Sequence, residues 1–359
     1  MDQSIVFIMN IALSFNKIYI PYATVTMISI YIHETCDIDF YLVSQDLDEG
    51  DLERIQKSLT YAKEHLSEEL RKKLFASEEL PQLRINLVRA DASILPGKAP
   101  VTKNWTAEIY FRLMFTEILP NDIDRILYLD CDMVVVHSLS GLYNIDLNGY
   151  LLCACAGANQ DTDHMSPMQK KMLLPLFSEG HKYFNSGTLL FDMNGMRERH
   201  SFGDYLEALK EWDYQVSAPD QDLLNYVNCN ETKVIEWKQY NFYAKNAAAM
   251  AVTSKNIYDT DISVVHFPGP KPWNNAGDHY ETELIWWDIA ELYDGYESLL
   301  YDFMHSALTD TRLSDFVKRI TSSWESTQNE NQMLRSQNAE LQVMCKKMAE
   351  IVEKLTGKS

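Results

Sequence analysis

The sequence offers little to a polyanion, a membrane or a disulfide scaffold. Of its 359 residues 52 are acidic and 32 basic, a formal net charge of −20. That balance disfavours a nucleic-acid partner and leaves no polybasic patch for anionic lipid. The six cysteines (36, 131, 153, 155, 229 and 345) form no C-x-x-C pair and no zinc-like spacing, so free thiols in a reducing compartment are expected. No apolar run reaches the roughly 20 residues that span a bilayer. The opening MDQSIVFIMNIALSF has no basic n-region and no small-residue cleavage site. The expected location is cytoplasmic, with peripheral contact at the inner membrane face left open. Glycine-rich phosphate loops are missing too: there is no G-x-G-x-x-G after a strand and no G-x-x-x-x-G-K-[ST]. A diphosphate would therefore have to be held by a metal and lysine.

What is present is an α/β rhythm over a hydrophobic content of 46%, enough for a sizeable core. NIALSFN reads as a strand, IPYATVTMISIYIH as a helix and IDFYLVSQD as a strand. A charged helical stretch over 48–76 follows, then the strand LRINLVRA, the helical AEIYFRLMFTEIL and the strand RILYLDCDMVVV. YLLCACAG, YFNSGTLLFDM, TKVIEW and ISVVHFPG are further strands, and helices are expected at 201–212 and 219–228. The alternation predicts a mostly parallel sheet with helices on its faces. We expect one catalytic domain over 1–295 and a helical tail over 296–359. In the tail Thr327, Leu334, Leu341, Met348 and Leu355 recur every seven residues, with Asn331, Asn338, Cys345 and Val352 between them. That heptad pattern, over about 320–356, reads as a coiled coil for a homodimer or a helical partner, with a surface helix folding back on the domain as the alternative.

Within RILYLDCDMVVV two carboxylates interrupt an apolar run. A buried unpaired carboxylate costs several kcal/mol, roughly, so Asp130 and Asp132 demand a neutralising partner. At i and i+2 they can converge on one cation at the carboxyl end of a strand, where open α/β sheets bind ligands. Such a pair suits an aspartyl-phosphate phosphatase, with one Asp as nucleophile, or a nucleotide-sugar transferase, with both on a metal. About 125 residues of α/β pattern precede the pair, unlike the phosphatase arrangement, and no later acidic pair with an upstream lysine completes a magnesium site. VVHFPGPKPW supports the transferase. His266 adds an imidazole to the carboxylates, Gly269 allows close backbone approach to a phosphate, Lys271 supplies a point charge, and Trp273 could stack on a sugar. Glycoside hydrolases hold their carboxylates farther apart, on opposite sides of the bond. An inactive transferase-like scaffold acting through its coiled coil is the remaining alternative.

Four segments together resemble the retaining glycosyltransferases of family 8: NIALSFNKIYIPYATVTMISI, IYFRLMFTEILPNDIDRILYLDCDMVV, YFNSGTLLFDM with PDQDLLN, and VVHFPGPKPW. The resemblance, over residues 10 to about 275, implies a GT-A nucleotide-sugar-binding fold with a Rossmann-like mixed sheet. It also implies hexose transfer from UDP-galactose or UDP-glucose to a saccharide or glycan, with Mn²⁺ or Mg²⁺. On this resemblance Asp130, Asp132 and His266 are the metal ligands, and Gly269 and Lys271 hold the diphosphate. Arg112 lies against the donor's phosphate or sugar. Ser14, Asn16 and Tyr19 face the nucleotide, with Cys131 beside them pointing its thiol away from the metal. Asn185, Asp220 and Gln221 line the donor sugar, with Gln221 under the anomeric carbon. Asn16 stands where the family commonly has an acidic residue, and Ile18 where it has a polar one.

Overall fold

The computed structural model describes residues 7–101, 106–157, 165–178, 180–275, 279–309, 332–335, 338 and 342. Ten strands alternate with helices: β1 Ile8–Ser14, α1 Ile20–His33, β2 Asp37–Ser44, α2 Glu49–His65, α3 Glu68–Lys73, β3 Leu83–Arg89, α4 Phe115–Ile118, β4 Arg125–Leu129, β5 Met133–Val135 and α5 Ser140–Tyr143. After these come β6 Leu152–Ala156, α6 Pro167–Ser178, β7 Phe184–Asp192, α7 Met193–Arg199, α8 Phe202–Glu211, α9 Pro219–Val227, β8 Thr232–Ile235, α10 Trp237–Tyr240, β9 Phe242–Tyr243, β10 Val264–His266, α11 Leu284–Ala290 and α12 Tyr296–Thr309.

Seven strands form one sheet in the order β3-β2-β1-β4-β7-β6-β8, and β5-β10-β9 form a second. The first sheet is parallel from β3 to β4, with β7 antiparallel to both β4 and β6. The mixed α/β fold expected from the sequence is therefore present. Its central strands read as unbroken apolar runs because both faces are covered. On β4, Leu127 and Leu129 enter one core while Ile126 and Tyr128 enter the other; on β2, Phe40 and Leu42 oppose Tyr41 and Val43 in the same way. Helix α1 is buried almost all round, which explains why IPYATVTMISIYIH has hardly a polar face.

Two local expectations are corrected, and one element is added. The charged stretch over 48–76 is two helices, because Leu66 leaves helical backbone and the Ser67 hydroxyl caps α3 by accepting from Leu70 N–H. AEIYFRLM winds as a 3₁₀ helix over Ala107–Met114 before the short α4. Tertiary bonds such as Tyr110 Oη to Pro100 O (3.1 Å) and Arg112 Nη1 to Ser186 O (2.7 Å) accompany this tighter winding. Helix α6, with Pro175 inside it, was not anticipated.

The chain divides into two compact units, Met1–Leu300 and Tyr301–Ser359. In the second, the described residues are helical, comprising the end of α12 and 332–335, 338 and 342. Of the heptad positions only Leu334 and Asn338 are among them; the rest of the coiled-coil expectation lies outside the described residues. The cysteines among the described residues are free thiols. No helix among the described residues is long and apolar enough to cross a membrane.

Candidate active site

The Asp-Cys-Asp segment is the crossing between the two sheets: β4 ends at Leu129, and β5 begins in the other sheet at Met133. The three residues between are a turn, not an extended strand, and it is anchored on every side. Asp130 N–H donates to Gly187 O of β7 (2.9 Å), and Phe267 N–H, just after β10, donates to Asp132 O (3.0 Å). From α1 the Thr26 hydroxyl donates to Cys131 O (3.0 Å) and Met133 O (2.8 Å). Cys131 turns inward toward Ser14 O (3.8 Å), and burial pushes its thiol pKa well above the usual range. The two carboxylates are left on the cavity side.

His266 closes β10, opposite Met133 in the antiparallel β5–β10 pair. Its Nε2 lies 3.3 Å from Asp132 Oδ1 and 3.9 Å from Asp130 Oδ2. One ligand atom from each of the three residues lies within 4.8 Å of the other two. A divalent cation about 2.1 Å from each donor sets them roughly 3 to 4 Å apart, and the two histidine–carboxylate distances fall in that range. Asp132 Oδ1 is buried with no hydrogen-bond donor of good geometry, and a cation there would satisfy it. The other oxygen is bonded by the Lys271 ammonium, which also donates to Phe267 O (2.9 Å). Burial alone would raise the Asp132 pKa; Lys271 and His266 together outweigh it and hold the carboxyl well below the usual range. Gly269, between two prolines, has φ +128°, a backbone state that excludes most side chains.

Arg112, only 5% exposed, neutralises the other acids. Its Nη2 lies 2.9 Å from Asp130 Oδ1, its Nη1 3.2 Å from Asp220 Oδ2, and its guanidinium lies over the Tyr128 ring at 4.1 Å. Tyr128 Oη donates to the same Asp130 oxygen (2.8 Å). Burial would lower the Arg112 pKa, but Asp130 and Asp220 raise it. Burial raises the pKa of Asp220, against the pull of Arg112. Behind the cavity, Asn185 Nδ2 donates to Gln221 Oε1 (2.7 Å), Gln221 Nε2 to Tyr183 Oη (2.8 Å) and Tyr183 Oη to Asp222 Oδ1 (2.7 Å).

All but one of the nominated residues line a single cavity of about 870 Å³: Ser14, Asn16, Tyr19, Arg112, Asp130, Cys131, Asp132, Asn185, Asp220, Gln221, His266, Gly269 and Lys271. Asn16 turns its side-chain oxygen to the Ile18 N–H (3.1 Å), and Ile18 itself is 77% exposed. Trp273 is the exception among the candidates. It is buried, stacked on Tyr22 at 4.1 Å and packed against Trp286, so it serves the core and has no face free for a sugar. Three contributors escaped sequence reading. Gly187 faces Asp130 and His266, two of the candidate metal ligands, and its signal is a glycine inside the strand YFNSGTLLFD. Asn241 bonds His266, and nothing local marks it. Glu108 is a buried carboxylate on the cavity wall, one oxygen accepting from Gln45 Nε2 (3.0 Å) and the other unbonded.

Comparison with known proteins agrees with this geometry. The family model for glycosyl transferase family 8 matches residues 10–277. Lipopolysaccharide 1,2-glucosyltransferase of Escherichia coli K12 is 27% identical over 273 residues, 74% of this chain and 73% of its own. Lipopolysaccharide 1,3-galactosyltransferase of Salmonella typhimurium LT2 is 26% identical over 181 residues, 50% of this chain and 52% of its own. The crystal structure of the galactosyltransferase LgtC, solved with donor and acceptor sugar analogues, superposes with a TM-score of 0.62 at 20% identity. It covers 81% of this chain and all of that one, and shares the fold. The converging acids, the histidine and the matched family model leave the phosphatase reading without support: this chain belongs to glycosyltransferase family 8 and is a glycosyltransferase.

Proposed function

We propose that the chain transfers a hexose, galactose or glucose, from a UDP-sugar to a hydroxyl of a saccharide or glycan acceptor, with retained anomeric configuration. Asp130, Asp132 and His266 would hold Mn²⁺, or Mg²⁺ in its place. The observation that carries the reading is the buried, unbonded Asp132 Oδ1 facing His266 Nε2 at 3.3 Å on the wall of a large cavity. The relatives named for glucosyl and galactosyl transfer to lipopolysaccharide support the hexose. A cytoplasmic setting agrees with the free thiols.

When bound, the cation supplies Lewis-acid compensation for charge building on the departing UDP. The protein's own groups do the rest. Lys271, held on Asp132 and Phe267 O, places an ammonium beside the same phosphates, and Gly269 lets the backbone approach them. Gln221 is fixed by Tyr183 and Asn185 as a rigid neutral amide, well suited to lie under the anomeric carbon and poorly suited to attack it. Asp220, the nearby carboxylate, is paired with Arg112 at 3.2 Å, which weakens it as a nucleophile. The acceptor hydroxyl therefore attacks from the face that UDP leaves. The new carbon–oxygen bond replaces the sugar–phosphate bond, and a leaving-phosphate oxygen takes the hydroxyl proton.

The test is UDP release from a panel of UDP-sugars with Mn²⁺. Hydrolysis is expected with UDP-galactose or UDP-glucose, lost on chelation and lost in Asp132→Ala. Unimpaired hydrolysis by that variant sinks the assignment.

A further inference from the structure

We infer that Asn241 is a positioning residue that fixes the proton of His266 on Nδ1 and so keeps the Nε2 lone pair bare for a divalent cation. The inference rests on the metal reading above, and it adds what makes the histidine competent. A neutral imidazole carries one N–H and one lone pair. Which nitrogen carries the proton is decided by the partner of the other.

That partner's polarity can be traced to the backbone. Gly187 N–H is 3.0 Å from Asn185 Oδ1, and a peptide N–H can only donate, so this end of the Asn185 amide must be oxygen. Ser186 N–H, 3.2 Å from Gln221 Oε1, fixes the Gln221 amide in the same sense, and Asn185 Nδ2 donates to that oxygen at 2.7 Å. With Asn185 Oδ1 an acceptor, the Asn241 group 2.9 Å from it must be the NH₂. Asn241 Oδ1 then faces His266 Nδ1 at 2.7 Å, so Nδ1 carries the proton. Asn241 is fully buried and cannot exchange these partners for bulk water. Two backbone amides that cannot reverse thus orient three side-chain amides and one imidazole.

The same chain joins the cation ligand to Gln221 and Asn185, the residues assigned to the donor sugar. A substitution at Asn241 can therefore separate two effects. Asn241→Asp keeps an acceptor for Nδ1–H but loses the donor to Asn185. Asn241→Leu loses both.

Nitrogen-15 NMR of the imidazoles in the metal-free protein reads the tautomer directly; the His266 signals are identified by their absence in His266→Gln. The wild type is expected to show the Nδ1–H form. Paramagnetic resonance of free Mn²⁺ reads affinity. Asn241→Leu should weaken binding roughly 10- to 100-fold, the usual range for losing such a partner. Asn241→Asp should bind Mn²⁺ at least as tightly as wild type while its KM for the donor rises or its kcat falls. If Asn241→Leu does not fold, the wild-type tautomer and the Asn241→Asp variant still decide the matter. A wild-type His266 protonated on Nε2 overturns the inference, as does Asn241→Leu binding Mn²⁺ like wild type or Asn241→Asp losing its Mn²⁺ affinity. Failure of the wild type to bind Mn²⁺ would instead count against the metal reading, and the tautomer would still test the role of Asn241.

Discussion

Gly187 lacks a side chain because there is no room for one. A Cβ there would lie 2.8 Å from both Asp130 Oδ2 and His266 Cε1, and 2.7 Å from Met133 Cε. The methionine end can swing aside. The carboxylate and the ring can do so only by leaving the positions where they converge. Gly187→Ala is therefore expected to fold with a loss of about 1–3 kcal/mol, typical of overpacking, but to bind Mn²⁺ much more weakly. Urea unfolding and a Mn²⁺ titration on the same preparation check this, and unchanged affinity would show the ligands to be more tolerant than the geometry implies. Gly269 is a glycine for a different reason, its φ of +128°.

Among the elements, α1 does more than fill the core, since it organises the crossing from β4 to β5. Thr26 holds the Asp-Cys-Asp turn, and the Ser29 hydroxyl accepts from Val135 N–H (2.9 Å). At its end the fully buried Glu34 carboxylate accepts from Leu139 N–H, from the Ser138 hydroxyl (2.8 Å) and from the Ser140 hydroxyl (3.3 Å). Burial raises its pKa against the pull of those donors. A carboxyl whose folded pKa is raised contributes its full stability below the unfolded value, about 4.3, and loses it as pH rises through the folded value. Relative to Glu34→Gln, the wild type should thus lose stability as pH rises above about 4.3. Paired denaturant curves across that range measure the difference, and a wild type that gains stability relative to Glu34→Gln as pH rises would contradict the assignment.

At the scale of the whole molecule, the cavity is built from residues 14 to 274, all inside the unit Met1–Leu300. We propose that this unit carries catalysis and that the heptad-bearing tail mediates association with a second copy or a helical partner. A chain ending at residue 309 should release UDP from the donor at the full-length rate. In sedimentation it should run as a monomer, with any self-association confined to the full chain. Loss of turnover on truncation would assign the tail a catalytic part.

Much of this was legible in the primary structure. Central strands covered on both faces are apolar along most of their length, and a buried helix is apolar nearly all round, so β1, β2, β4 and α1 announce themselves by local pattern; the edge strand β3 does so by alternating apolar and polar residues. The unusual carboxylates in ILYLDCDMVVV and the polar residues of VVHFPGPKPW stood out because burial of such groups needs a partner, and they do line one cavity. What only the tertiary structure decided is which groups meet. The Asp-Cys-Asp turn is fixed by Thr26, Gly187 and Phe267. Arg112 turns to Asp130 and Asp220, Trp273 goes to the core, and Asn241 reaches His266. Most of these partners come from segments far apart in the chain. Periodicity encodes which face of an element is buried; it carries no record of which carbonyl, amide or carboxylate waits on the other side.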